Sequence, residues 1–394
     1  MLFKHAQRTD KIAFSPVRKV LERARQLEAE GRDIVHFEIG EPDFDTPRPI
    51  SEAAIAALRS NQTHYGPNKG MIALREAIRA KLKSGYGLDY SIEEILVTVG
   101  AAEGIMAAML GYLDPGDEVI VFTPAFMNYV NCANMAGART IAVPLREEDD
   151  FAVRPEALRA AITPRTKMII LNNPHNPSGS VTPAETIQEI ADLAVKHNLL
   201  VLTDEIYDQI VYDGVQCVSC TAFPGMRKRS IVVNGFSKCY AMTGWRLGYL
   251  VVDASLLPPI LKIHQYMLAC APTFLQAGVA VAMMDEEVKR AARDMVAEFA
   301  RRREVLIRGV AAIDRLCVNT PRGAFYAMLN VELTGLTGAV FAMRLLEEAG
   351  VATVPCEVFG EGFDNYLRIS YATSDERIRE GLERLAAFTG KLRA

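Results

Sequence analysis

The chain has 394 residues, half of them hydrophobic, and a formal net charge of -4. That length is too great for one small domain and suits two closely associated ones sharing a sizeable core. The mild acidity gives no global attraction to nucleic acid or to an anionic membrane, and the basic cluster "RRRE" at 301–304 reads as a solvated helix face.

At the N-terminus, "MLFKHAQRTDK" lacks the apolar core of a signal peptide, and no apolar run is long enough to span a bilayer. A soluble, cytoplasmic protein is expected. Next, "SPVRKVLERARQLEAEG" has the spacing of an amphipathic helix and leads into "IVHFEIGEPDF". From about 95 to 252, short β-branched runs alternate with amphipathic stretches. The strand candidates are "EILVTV", "DEVIVF", "TIAVPL", "KMIILN", "LLVLT", "SIVVN" and "LGYLVV". Apolar strands separated by helical patterns predict an α/β fold whose seven-stranded, mostly parallel sheet is covered on both faces.

A helical region is expected over 273–313, and strand-helix-strand material returns after it. The expected division is an arm at 1–13, a large domain at 46–289, and a smaller α+β domain from 14–45 and 290–394. Seven cysteines are scattered without framework spacing. The pair Cys217 and Cys220 has no second pair, so reduced thiols are expected and no metal site.

In open α/β sheets, ligands sit outside the carboxyl ends of the strands, so the residues after each run are the expected pocket wall. After "EILVTV" come Gly100, Ala101 and Ala102 opening a helix, which is either an ordinary tight turn or a phosphate site. After "KMIILN" comes a proline-rich loop with Asn173 and Asn176. After "LLVLT" come Asp204, Glu205 and Tyr207, where an acid is often only an N-cap. After "SIVVN" comes Lys238, followed by Arg246. A lysine amine attacks carbonyls when its pKa is depressed, and an arginine grips phosphate bidentately. An aldehyde carrying a phosphate and a basic ring nitrogen would engage all of these groups, and pyridoxal 5′-phosphate is such a molecule.

The segment "SKCYAMTGWRLGY" resembles the lysine motif of the fold-type I, class I/II aminotransferases. The likeness extends through "GEPDFDTP", "HYGPNKGMIALREAI", "DPGDEVIVFTP", "NNPHNPSG", "TDEIY", "RGAFY" and "LRISYATS". The resemblance implies a ping-pong aminotransferase acting on an L-amino acid and a 2-oxo acid, in a homodimer with shared active sites. It implies that Lys238 forms the Schiff base and then moves the proton, with Asp204 on the ring nitrogen. Asn176 and Tyr207 match the donors to the ring's phenolic oxygen, and Phe126 the aromatic stacked on the ring. Ser237, Arg246 and the Ala101–Ala102 backbone match the phosphate cup, with Tyr65 reaching it across a dimer interface. Arg368, otherwise read as a strand arginine in a surface ion pair, matches the clamp on the substrate α-carboxylate, beside Gly40.

Similar bacterial aspartate enzymes tend to carry a lysine where this chain has Ala102, and Glu103 comes directly after it. That pairing argues against a second substrate carboxylate unless another cation reaches in. His175 is expected to be a loop histidine without a mechanistic role, and Cys239 a small buried hydrophobe. The alternative is another reaction of the same cofactor, such as C–S β-elimination or amino-acid oxidation. A ligand-sensing regulator is disfavoured because only a short arm precedes the first helix. A nicotinamide dehydrogenase is disfavoured because no G-x-G-x-x-G opens a helix after a strand.

Overall fold

The structure is a computed structural model and describes residues 3–12, 14 and 16–392. Of the expected arm, Met1, Leu2 and Ala13 lie outside the described residues, as do Ser15, Arg393 and Ala394. Helix α1 (Pro16–Ala29) leads into strand β1 (Val35–His36), and then come α2 (Arg48–Arg59) and α3 (Ile72–Tyr86). Strands and helices then alternate: β2 (Ile95–Thr98), α4 (Gly100–Tyr112), β3 (Glu118–Thr123), α5 (Met127–Ala136), β4 (Arg139–Pro144) and α6 (Pro155–Ala161). The alternation continues with β5 (Thr166–Asn172), α7 (Ala184–Lys196), β6 (Leu200–Asp204), β7 (Ser230–Gly235) and β8 (Gly248–Val252). Three helices come next, α8 (Leu257–Leu268), α9 (Thr273–Ala282) and α10 (Glu286–Ala311). The described chain closes with β9 (Cys317–Val318), β10 (Tyr326–Asn330), α11 (Gly338–Ala349), β11 (Val351–Ala352), β12 (Val354–Pro355), β13 (Tyr366–Ser370) and α12 (Asp375–Lys391).

The seven apolar runs of the middle of the chain are the seven strands of one sheet, ordered β2-β8-β7-β6-β5-β3-β4. β8 alone runs antiparallel to its neighbours, β2 and β7. All other pairs are parallel. Alternate side chains leave the sheet on opposite faces. Val119, Val121, Ile170, Leu202 and Leu250 meet Ile105 and Met109 of α4 and Ile260 of α8. On the other face, Ile169, Leu171 and Val201 meet Ile187 and Ile190 of α7. Val97 and Val251 there meet Ile78 of α3 and Val279 of α9. Both faces are covered by apolar side chains, which is why these strands read as continuous apolar runs.

The register sets the site. Asn172 pairs with Asp204, so β5 and β6 end side by side. Gly248, the first residue of β8, pairs with both Gly235 at the end of β7 and Thr98 at the end of β2. The segments leaving β2, β5, β6 and β7, and the segment entering β8, therefore gather at one edge.

The second sheet is antiparallel, ordered β12-β13-β10-β9, and packs with α10, α11 and α12 around Phe299, Phe325, Phe341, Leu345 and Leu385. β1 pairs parallel with β11.

The region expected to be helical at 273–313 is helical and divided into two helices, because Asp285 accepts a bond from Glu287 N at 2.7 Å and starts α10 anew. One expectation needs correction. The "RRRE" cluster is not a solvated face, since Arg302 and Arg303 are buried. Arg302 pairs with Asp43 at 2.7 Å and Arg303 with Asp213 at 2.8 Å. Their guanidiniums lie over the rings of Phe44 and Tyr212.

Candidate active site

A cavity of about 480 Å³ opens at the carboxyl edge of the large sheet, walled also by α1, the segment after β1, and β10 and β13 of the second sheet. The structure brings Gly40, Ala101, Ala102, Phe126, Asn176, Asp204, Tyr207, Ser237, Lys238, Arg246 and Arg368 to this one cavity. Tyr65 is not among them: in the single chain it is 92% exposed, on the segment joining α2 to α3.

Lys238 Nζ donates to Gly40 O at 2.6 Å. Burial pulls its pKa down to about 8, assisted by the positive charges of Arg368 and Arg246 and opposed by Glu41 and Asp204. Asp204 is buried. Its Oδ2 accepts from Tyr129 Oη at 2.8 Å and its Oδ1 from Ile206 N at 3.1 Å. Burial raises its pKa to about 6, against the pull of those two donors and of Lys238. The N-cap-like turn and the pocket-lining role thus coexist in one carboxylate.

Thr98 ends β2 and Gly100 opens α4, with the helix N-terminus facing the cavity. Gly100 has φ +74°, and a Cβ there would lie 2.5 Å from Arg246 Nη2. At Gly248 a Cβ would lie 2.7 Å from Ala101 N. At Gly248 the neighbour is backbone, and at Gly100 the positive φ strains any side chain, so glycine at both places lets the first turn of α4, the start of β8 and Arg246 stay close. Arg246 is exposed at the rim and donates to Thr243 O at 2.9 Å.

Arg368 is buried on β13 rather than paired at the surface. Its Nη2 donates to Glu38 O at 2.7 Å and its Nη1 to Asn176 Oδ1 at 3.4 Å, while Nε is buried without a partner. The guanidinium lies over the ring of Tyr326. Tyr207 Oη is 3.1 Å from Tyr326 Oη, which donates to Gly40 O at 3.3 Å.

Some neighbours escaped the sequence reading. Tyr129, which holds Asp204, lies one helical turn past Phe126 and packs edge-on to it at 5.7 Å. Asn172 accepts from Asn176 N at 2.8 Å and donates to Asp204 O at 3.1 Å, tying the proline-rich loop to β6. Tyr326 belongs to the quoted "RGAFY". Asn173 turns elsewhere: its Oδ1 accepts from Thr182 N. His175 is buried 2.7 Å from Ser178 Oγ, outside the cavity wall, and burial lowers its pKa to about 4. Cys239 is buried, and burial pushes its thiol up to about 12.

Glu103 differs from its expected role. Its Oε2 accepts from Val99 N at 3.2 Å and its Oε1 lies 3.2 Å from His264 Nδ1, so it serves the start of α4 and is absent from the cavity wall. All seven cysteines are free. Among the described residues, no group of His, Cys, Asp or Glu is placed to hold a metal, and no helix is long and apolar enough to cross a membrane.

Residues 32–385 match the family model of aminotransferase class I and II. An aspartate aminotransferase of Pyrococcus abyssi is 39% identical over 381 residues, 96% of this chain and 97% of its own. An aromatic-amino-acid aminotransferase of Thermococcus litoralis is 37% identical over 96% of this chain and 97% of its own. The solved aspartate aminotransferase of Rhizobium meliloti matches with a TM-score of 0.95 and 35% identity, covering 99% of this chain and all of that one. The chain belongs to the class I and II aminotransferases. It is a pyridoxal 5′-phosphate-dependent enzyme that transfers an amino group between amino acids and 2-oxo acids.

Proposed function

We propose that Lys238 is the amine that bonds the cofactor aldehyde and, once released, the base that moves the substrate's Cα proton. The observation that carries this reading is the convergence of Asp204 at the end of β6, Lys238 and Arg246 on the segment joining β7 to β8, and Arg368 on β13, on one cavity. The residues fit the cofactor on grounds independent of the family: a buried carboxylate, a helix start that glycine keeps close to Arg246, and an amine with a depressed pKa. Pyridoxal phosphate supplies an aldehyde that bonds an amine and a cationic ring that draws electrons from Cα.

The protein's part is positioning and charge. Asp204, oriented by Tyr129, would sit against the ring nitrogen and favour its protonated form, and a cation there would offset the burial that raises the Asp204 pKa. Asn176 and Tyr207 would hold the ring oxygen, and Phe126 would flank the ring. The Ala101 and Ala102 amides, the Ser237 hydroxyl and Arg246 hold the phosphate. Arg368 clamps the substrate α-carboxylate with Gly40 beside it. Lys238, with a pKa of about 8, is partly neutral near physiological pH and able to take a proton.

The enzyme works by ping-pong exchange, as a cytoplasmic homodimer in which Tyr65 of a second copy reaches the phosphate. The exposure of Tyr65 supports this, as does the apolar groove of about 530 Å³ lined by Ile55, Leu58, Trp245, Phe274 and Leu275. We also assign 46–289 to the large domain and 14–45 with 290–394 to the small one. Packing supports that boundary, because Val288 of α10 joins the core with α3 and α9, whereas Met295 and Phe299 join the core of the second sheet.

Holoenzyme mixed with amino acid alone tests the reaction type. One equivalent of 2-oxo acid per site, with further turnover only after an acceptor is added, is expected. Continuous ammonia release without acceptor would mark a lyase or oxidase instead.

A further inference from the structure

In the proposed roles, Arg246 is committed to phosphate, Lys238 to the aldehyde and Arg368 to the α-carboxylate. No other cation lines the cavity among the described residues. The other lining residues are apolar, such as Val17 and Leu21 of α1, Ile39 and Phe359, uncharged polar, such as Thr243 and Tyr326, or acidic, such as Glu38 and Glu41.

Glu38 is only 1% exposed. Its Oε1 lies 2.7 Å from His36 Nδ1, while its Oε2 is buried without a hydrogen-bond partner. His36 Nε2 lies 3.0 Å from Glu28 Oε1, so two carboxylates share one imidazole and the group stays net negative even when His36 is charged. Ala102 supplies no cation, and Glu103 is held away at the start of α4. A second substrate carboxylate would enter a confined space without a counter-ion and near an under-compensated carboxylate. Both desolvation and like-charge repulsion oppose that. An apolar or aromatic side chain meets Val17, Leu21, Ile39 and Phe359 and removes apolar surface from water.

Resting on the roles proposed for Lys238, Arg246 and Arg368, we propose that the substrate pocket takes uncharged apolar or aromatic amino acids, and that Glu38 is the residue that discriminates against aspartate and glutamate. The chain's relatives include both an aspartate and an aromatic enzyme, and this chain falls on the aromatic side.

The test uses holoenzyme mixed with one amino acid at a time, following the cofactor's visible band. The second-order rate constant for phenylalanine or leucine is expected to exceed that for aspartate by about tenfold or more. Glu38→Gln lowers that ratio, and Ala102→Lys, which introduces a cation at the helix start, raises the aspartate rate. Calorimetry reads the same preference without turnover: 3-phenylpropanoate binds the holoenzyme more tightly than maleate. Aspartate reacting as fast as phenylalanine, as a cation supplied by a second copy would produce, overturns the substrate assignment. A ratio untouched by Glu38→Gln overturns the role of Glu38. Should that variant not fold, the wild-type ratio and Ala102→Lys still decide the pocket's charge preference. If no amino acid alters the band of a cofactor-loaded enzyme, the proposed function itself fails, and that outcome is distinct from these.

Discussion

Two lysines at the same sheet have opposite fates. Lys81, on α3, has a side chain 13% exposed and sits 3.2 Å from Asp208 Oδ2 and 3.3 Å from Tyr249 Oη. Burial alone would pull its pKa down, but the Asp208 charge, with Tyr249 and Tyr86, outweighs that and holds it well above the ordinary value. Lys238, at the carboxyl edge, has a backbone carbonyl as its partner, with Arg368 and Arg246 nearby, and falls to about 8. Burial acts on both amines. What differs is the sign of the neighbouring charge, and that difference separates a structural cation from a nucleophile.

The largest effect expected is from Lys238→Ala. Losing both the bonding amine and the proton carrier lowers turnover by at least about 10³-fold and abolishes the protein-bound visible band. Lys81→Met breaks the comparison from the other side. It leaves Asp208 buried beside Tyr86 and Asn234, which donate to it at 2.5 and 2.9 Å, but without its cation. Stability measured by urea unfolding falls by about 3–5 kcal/mol, while the cofactor still attaches at Lys238.

Arg368→Gln sharpens the contrast. Losing a charge-assisted clamp raises the KM for amino acids by about ten- to a hundredfold, from the ~1.5–3 kcal/mol of such bonds. Because Arg368 is the leading charge that lowers the Lys238 pKa, the same variant moves the titration midpoint of the free Lys238 amine upward. An unmoved midpoint would break the comparison.

His36 extends the rule to a weaker base and gives the smallest effect. The bond to Glu38 raises its pKa to about 9, against burial and with help from Glu28. Its folded value lies above the unfolded one, so its contribution is full below about pH 6.5 and is lost as pH rises through about 9. The melting temperature of the wild type should fall over that window more than that of His36→Asn.

The strands and most cavity residues are legible in the sequence because local signals coincide with their placement. A β-branched run ends, and the next polar residue lies at the sheet edge. The missed residues depend on contacts between distant segments. Tyr129 meets Asp204 across 75 residues. Arg302 and Arg303 are buried because Asp43 and Asp213 come to them from outside α10. Glu103 reads by its sequence neighbour Ala102, but the free amide of Val99 and His264 of α8 determine where it turns.

The most direct test is borohydride reduction of the holoenzyme, proteolysis and mass mapping of the modified peptide. A single pyridoxyl phosphate label on Lys238, with Lys81 unmodified, is the predicted result. A label on Lys81 or another lysine, or no covalent label in a protein that holds the cofactor, would contradict the account.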